Sequence, residues 1–331
     1  MPYSFTLYKI ALLLLLSSLC LSFVLTPVAR KVALHFNILD TPNHRKFHSL
    51  PTPLLGGLAL FLSFLITLFF FYLIISYQLF LSGPTFFSFG EEKLFWLRIS
   101  LYSICSCLII LIGLLDDLKS MDFKLKLFIQ SLTALIMIFS GSCFHFLPSP
   151  FLNSILSFFW IIGLTNSFNL LDNMNGLSSG LAIIILAFFS FLAYLTHHAL
   201  LSLLLLIPIG CLSGFLPYNF PKAKIFLGDT GSLFIGFSLA TFSIWLFEYL
   251  IHLNTSQWPI ITGLLFLFFI PLCDTLTVII IRVKNHKPIY VGDTNHLSHQ
   301  LVRMGFASTE AVLILYTSSF LIGILGVWLL T

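Results

Sequence analysis

Charge is what this chain lacks. Only 8% of its 331 residues are Asp, Glu, Lys or Arg, about a third of the share usual in a soluble domain. That scarcity excludes a water-soluble enzyme and a disordered scaffold. The six cysteines form no CxxC pair and sit in or beside apolar runs. A disulfide module and a thiolate metal site are therefore excluded, and the thiols read as core filling. No HExxH is present, which leaves zinc-protease chemistry without its ligand pair. Alternating ten-residue segments are missing too, so a β-barrel does not fit.

What is there is apolar and long. Hydrophobic residues make up 58% of the chain and aromatics 16%. Runs of about 20 apolar residues mark spanning helices, and ten are found: 5–28, 54–80, 94–115, 125–144, 151–169, 177–196, 199–218, 231–252, 259–281 and 308–330. The first carries Lys9 and then the run from Ala11 to Leu25. No A-x-A site follows, so it reads as an uncleaved helix. The expected fold is all-α: a polytopic integral membrane helical bundle forming a single transmembrane catalytic domain over 1–331.

Ten spans leave nine connections on alternating sides. The odd connections (29–53, 116–124, 170–176, 219–230 and 282–307) hold 12 of the 16 Lys and Arg, and Lys126 lies just inside the fourth span. By the positive-inside rule these connections are cytoplasmic and both termini periplasmic. Seven of the eight aspartates fall in the same connections, and Asp274 sits toward the cytoplasmic end of the ninth span. An ionised carboxylate at membrane depth costs at least ~2.5 kcal/mol. Gathering every Asp on one face calls for a cation there.

Four segments on that face can carry chemistry. Gly113-Leu114-Leu115-Asp116-Asp117-Leu118-Lys119 ends the third span. Paired acids oppose the dipole at a helix C-terminus, which suits a metal site or general base better than a solvated terminus. Asn166, Asn169, Asp172, Asn173 and Asn175 precede Gly176. Their three- and four-residue spacing lines up amides that both donate and accept, as a nucleoside or sugar requires, although Asn-rich turn chemistry also explains them. Phe226-Leu227-Gly228-Asp229-Thr230-Gly231-Ser232 opens the eighth span. Asp229 there is either a metal ligand beside phosphate or an ordinary N-cap. His296 and His299 stand at i and i+3 in the last cytoplasmic connection, spaced for phosphate or a metal. The 40–57 loop adds His44, Arg45, Lys46 and His48, either an anion clamp or simple topology.

Carboxylates, bases and amides on one membrane face suggest phosphoryl transfer from a soluble nucleotide to a membrane-held acceptor. An ion-coupled transporter would place ionisable groups near midplane and on both sides. Nothing suggests a nucleic-acid partner.

Taken in order, these motifs resemble the polyprenyl-phosphate N-acetylhexosamine-1-phosphate transferases, glycosyltransferase family 4. Asp116-Asp117 resembles the paired-aspartate motif, Asn169 to Gly176 the nucleotide loop, Phe226 to Ser232 the Gly-Asp-x-Gly-Ser motif, and His296 with His299 the histidine motif. The branch using phospho-N-acetylmuramoyl-pentapeptide carries three consecutive histidines. His296-Leu297-Ser298-His299 looks more like the undecaprenyl-phosphate N-acetylglucosamine branch. Asn175 and Ser298 depart from residues common in the family, Asp and His respectively.

The resemblance implies transfer of N-acetylhexosamine-1-phosphate, foremost GlcNAc-1-phosphate, from a UDP-sugar to undecaprenyl phosphate, with release of UMP. It implies a multi-pass protein of the bacterial inner membrane, its active site facing the cytoplasm. It implies Mg²⁺, with Mn²⁺ as a substitute, held by Asp229 with Asp116 or Asp117. Asp116, Asp117 and Asp172 would be catalytic; Asn166, Asn169, Asp172, Asn175 and Lys124 would bind the nucleotide sugar. Lys46, His48, Lys119, His296 and His299 would contact phosphate. A homodimer stays open.

Overall fold

The computed structural model describes residues 2–41, 51–82, 89–253, 257–288 and 294–330. Lys46 and His48, two of the expected phosphate contacts, and Asp293 lie outside these residues. Twelve helices and one small antiparallel ladder make up the described chain. Every expected span but the ninth is a single helix. The first three are α1 (Pro2–His35), α2 (Gly56–Ser82) and α3 (Phe89–Leu118); α4 (Phe123–Phe139) and α5 (Pro150–Leu171) follow. Then come α6 (Leu177–Leu195), α7 (Ala199–Asn219) and α8 (Gly228–Leu253). The ninth run is divided into α9 (Trp258–Leu267) and α10 (Phe269–Lys284), bent by 73° at the break. Pro271, in the first turn of α10, has no N–H to give the carbonyl four residues back, which weakens the ladder at this point. After the short α11 (Leu297–Arg303), α12 (Ser308–Leu330) is the tenth run.

Among the described residues eight of these helices are long and apolar enough to cross a membrane, and the bent pair has the length and composition of either a broken ninth span or a re-entrant loop. At 17 residues, α4 is at the lower limit of a spanning helix. This is a multi-pass membrane protein. Its outer wall is apolar, with Phe139, Phe151, Phe159, Trp258 and Trp328 largely exposed; a surface of that kind belongs in lipid.

The central element is α8, whose apolar window is 83% buried. Its Phe234, Phe237, Phe242 and Trp245 pack against Phe64 of α2 and Tyr102 of α3. The Tyr102 phenol and the Ser238 hydroxyl share a 2.6 Å hydrogen bond. Several buried hydroxyls elsewhere bond back into their own helices, as Ser63 does to the Ala59 carbonyl at 2.7 Å and Thr241 to that of Phe237 at 2.9 Å. Such bonds satisfy polar groups that lipid cannot.

Two features bring the motif segments to one end of the bundle. β1 (Leu39–Asp40) pairs with β2 (Thr52–Pro53), and the chain continues to a second set of backbone bonds with the approach to α8. There the Phe226 N–H donates to the Pro53 carbonyl at 2.8 Å, and the Gly57 N–H to that of Leu227 at 2.9 Å. Asn219, at the end of α7 and buried, accepts the Gly176 N–H at 2.7 Å and donates to the Ile225 carbonyl at 3.0 Å. One side chain thus fixes the turn before α6 against the turn before α8.

Candidate active site

At this end of the bundle a cavity of about 660 Å³ opens, lined among others by Asp116, Asp117, Asp172, Asn175, Asp229 and His299. These residues come from the end of α3, the α5–α6 turn, the start of α8 and α11. Four segments far apart in sequence therefore share one wall. Asp40 of β1 reaches the same cavity.

The two adjacent aspartates have different work. Asp117 is spent on α8: its Oδ1 accepts the Asp229 N–H at 2.8 Å, and its Oδ2 accepts the Thr230 N–H at 3.0 Å and the Thr230 hydroxyl at 2.5 Å. It caps the helix N-terminus from another helix, satisfying orphan donors where negative charge is favourable. Gly228 makes room for this contact. Its φ of +72° suits glycine, and a Cβ there would lie 2.5 Å from Asp117 Oδ2.

Asp116 faces the other way. It accepts the Met121 N–H at 2.6 Å and the Lys126 ammonium at 2.8 Å. Lys126 also donates to Asp229 Oδ2 at 2.7 Å, so one cation bridges two carboxylates from different helices. Asp172, just past the end of α5, has no hydrogen bond to its carboxylate among the described residues. Burial in the cavity, then the negative charges of Asp229 and Asp117, push its pKa well above the ordinary carboxylate range.

Among the described residues no three His, Cys, Asp or Glu side chains form a metal cage. The donor set fits another kind of site. The Lys126 ammonium marks a cation position between Asp116 and Asp229, and an ion held by one or two carboxylates leaves its other positions to phosphate oxygens and water, as Mg²⁺ favours.

The remaining expected residues scatter. Asn175 lines the cavity and also donates to the Pro221 carbonyl at 3.2 Å. Asn169 donates to the Ser232 hydroxyl at 3.0 Å, tying α5 to α8 behind the cavity wall. Asn166 is outside the lining and pairs with Gln130 of α4 at 2.7 Å. Lys119 and Lys124 are exposed and also outside the lining. His296 is buried against Asp274 with Nδ1 2.7 Å from Oδ2, and the cavity receives only His299 of the pair. The sequence placed Lys126 and Asp274 on this face without a role at the site, and it did not single out Gln130 or Asn219. A lone Lys or Asp inside an apolar run was the available signal for the first two.

Residues 99–247 match the model of "Glycosyl transferase family 4". The chain is 31% identical to the "Probable undecaprenyl-phosphate N-acetylglucosaminyl 1-phosphate transferase" of Bacillus subtilis (strain 168), over 93% of this chain and 81% of the relative. It is 26% identical to the undecaprenyl-phosphate alpha-N-acetylglucosaminyl 1-phosphate transferase of Yersinia pestis, over 91% and 79%. The Escherichia coli (strain K12) protein of that name is 25% identical, over 90% and 78%. With its motif segments gathered at one cavity and likeness running along nearly its whole length, the chain belongs to glycosyl transferase family 4.

Proposed function

We propose that this protein transfers GlcNAc-1-phosphate from UDP-N-acetylglucosamine to undecaprenyl phosphate, releasing UMP and starting a lipid-linked envelope glycan. The observation that carries this reading is the meeting of Asp116, Asp172, Asp229 and His299 in one cavity at one end of a membrane bundle. The names of the relatives support the N-acetylglucosamine branch over the muramoyl-pentapeptide one. The positive charge of the odd connections supports a cytoplasmic cavity in the bacterial inner membrane and periplasmic termini.

The acceptor phosphate attacks the sugar-linked phosphorus, a new P–O bond forms, and the bond to UMP breaks. A phosphate monoester is nucleophilic at neutral pH, so positioning and charge neutralisation dominate. Mg²⁺ would be held by Asp229 and Asp116 and would neutralise diphosphate charge. Lys126 lies where it can move from the carboxylates to a phosphate oxygen. Asp172 faces the cavity with a raised pKa, which suits it to take up the proton of an acceptor phosphate monoanion. Asn175 offers its amide to the nucleotide sugar, and His299 its ring to phosphate. Asp117 holds Asp229 in place through the backbone of α8.

Radiolabelled UDP-N-acetylglucosamine incubated with membranes containing the protein should give a butanol-soluble product, lost with EDTA. If this donor fails and its C4 epimer works, the donor assignment is wrong; if both fail, the transferase reading is wrong.

A further inference from the structure

Asp274 is the one aspartate among the described cytoplasmic-side residues with two strong contacts and no role above. It lies in α10 and is 1% exposed, in a span where an unpaired carboxylate is costly. Both oxygens go to the same short segment. Oδ2 is 2.7 Å from His296 Nδ1, and Oδ1 accepts the Leu297 N–H at 2.6 Å. His296 is the N-cap of α11, with φ −62° and ψ 153°, and Leu297 is its first helical residue. The carboxylate thus grips the chain where it turns into the helix. A short contact to an anion keeps the proton on Nδ1 and fixes the ring plane, as second-sphere carboxylates do for histidine generally.

His299 follows one turn later on the same face, its ring centroid 5.8 Å from that of His296. It is His299 that lines the cavity. The frame behind Asp274 is itself anchored. The Thr275 hydroxyl donates to that of Ser167 at 2.8 Å, and Ser167 donates to the Pro271 carbonyl at 3.0 Å, locking α10 onto α5. The Ser298 hydroxyl, where many family members carry His, donates to Asn173 Oδ1 at 2.7 Å and joins α11 to the α5–α6 turn.

We propose that Asp274 is a positioning residue for the transfer reaction, holding His296 and the first turn of α11 so that His299 stands correctly in the cavity. This rests on the transferase reading above. A carboxylate is required because it accepts twice. An amide accepts through one atom only, so its NH₂ would face either the Leu297 N–H, donor against donor, or His296 Nδ1, which must then give up its proton to Nε2.

The test is steady-state kinetics on the detergent-purified full chain with UDP-N-acetylglucosamine and undecaprenyl phosphate, per mole of folded protein, alongside thermal unfolding. Asp274→Asn should lower kcat/KM about tenfold or more, chiefly by raising KM for the nucleotide sugar, as expected when a buried polar partner is lost. Combined with His299→Ala it should cost little beyond His299→Ala alone. Unchanged kinetics with a lower unfolding temperature would make Asp274 merely structural and overturn the inference. Losses that add in the double variant would overturn it too.

Should Asp274→Asn not fold, Leu297→Pro removes the N–H bonded to Oδ1, and Leu297→Ala, which keeps that N–H, controls for the loss of the part-buried leucine side chain. Proline suits the first helical position, and the extended backbone of His296 suits the residue before it. A raised KM that does not add to His299→Ala supports the inference, and a normal KM overturns it. Wild-type protein without turnover sinks the transferase reading and this inference with it; normal wild-type turnover with unmoved variants sinks the inference alone.

Discussion

The Lys126 ammonium stands 2.7 Å from Asp229 Oδ2, a charge-assisted bond between α4 and α8, and its second partner is Asp116 at 2.8 Å. A cation is therefore built into the acidic site by the chain itself. Any divalent ion that binds there must compete with it.

Replacing Lys126 by Met should consequently tighten Mn²⁺ binding to the substrate-free protein by about tenfold, the equivalent of about 1.4 kcal/mol. Turnover should fall by about 10²-fold, as on removing one donor from a developing anion. Electron paramagnetic resonance of free Mn²⁺ reads the first effect without relying on activity. Equal or weaker metal affinity would show that the ammonium does not compete.

The Asp117 clamp on α8 gives a graded pair of variants. Thr230→Val removes one of three donors and should cost about 1 kcal/mol in thermal unfolding. Asp117→Ala strands all three at a helix start and should cost about 2 kcal/mol or more, with turnover lost as Asp229 shifts. If Asp117→Ala unfolds like wild type, the clamp is not what holds α8 in place.

The raised pKa of Asp172 predicts a pH trend in the metal-free protein. An unfolded Asp ionises near about 3.9, whereas the folded carboxyl keeps its proton to higher pH. The folded state binds more protons in that interval, so stability falls as pH rises from the unfolded value through the folded one. Asp172→Asn should match wild type near pH 4 and unfold at a higher temperature near neutrality. Equal unfolding temperatures across the range would contradict the assignment.

Glycine substitutions should rank by the space available. A Cβ at Gly113 would sit 2.6 Å from the Thr230 Cα, backbone that cannot yield unless α3 and α8 part. Gly228→Ala adds left-handed strain of about 1 kcal/mol or more and displaces Asp117. Both should lose turnover. Gly163 meets nothing within 4 Å, and its replacement by Ala in α5 should stabilise by about 0.5 kcal/mol. Purified yield, unfolding temperature and product formation check all three.

Much of this was legible in the chain alone. Nine of the ten apolar runs are each a single helix and the ninth is a bent pair, because a helix lets the backbone satisfy itself in lipid. The aspartates were legible as a set, since their cost in a membrane makes their placement informative. Which acid does what was not. Asp116 and Asp117 are neighbours in sequence, yet one meets Lys126 and the other the start of α8, 112 residues away. Asn166 and Asn169 share a helical spacing, but Gln130 and Ser232 take them in different directions. His296 and His299 read as an equivalent pair, and only the placement of Asp274 separates them. Local periodicity reports a helix face; it carries no information about what lies opposite.

Far from the cavity, Arg98 meets Glu248 through a two-pronged contact of 2.6 and 3.3 Å and spends its remaining reach on the Gly141 carbonyl at 2.7 Å. Those opposite charges cancel within the protein. The pair therefore adds no net charge at the end of the bundle away from the cavity. In sealed vesicles with oriented protein, ionic strength raised on the cavity side should slow the enzyme, while the same salt on the opposite side should leave it indifferent.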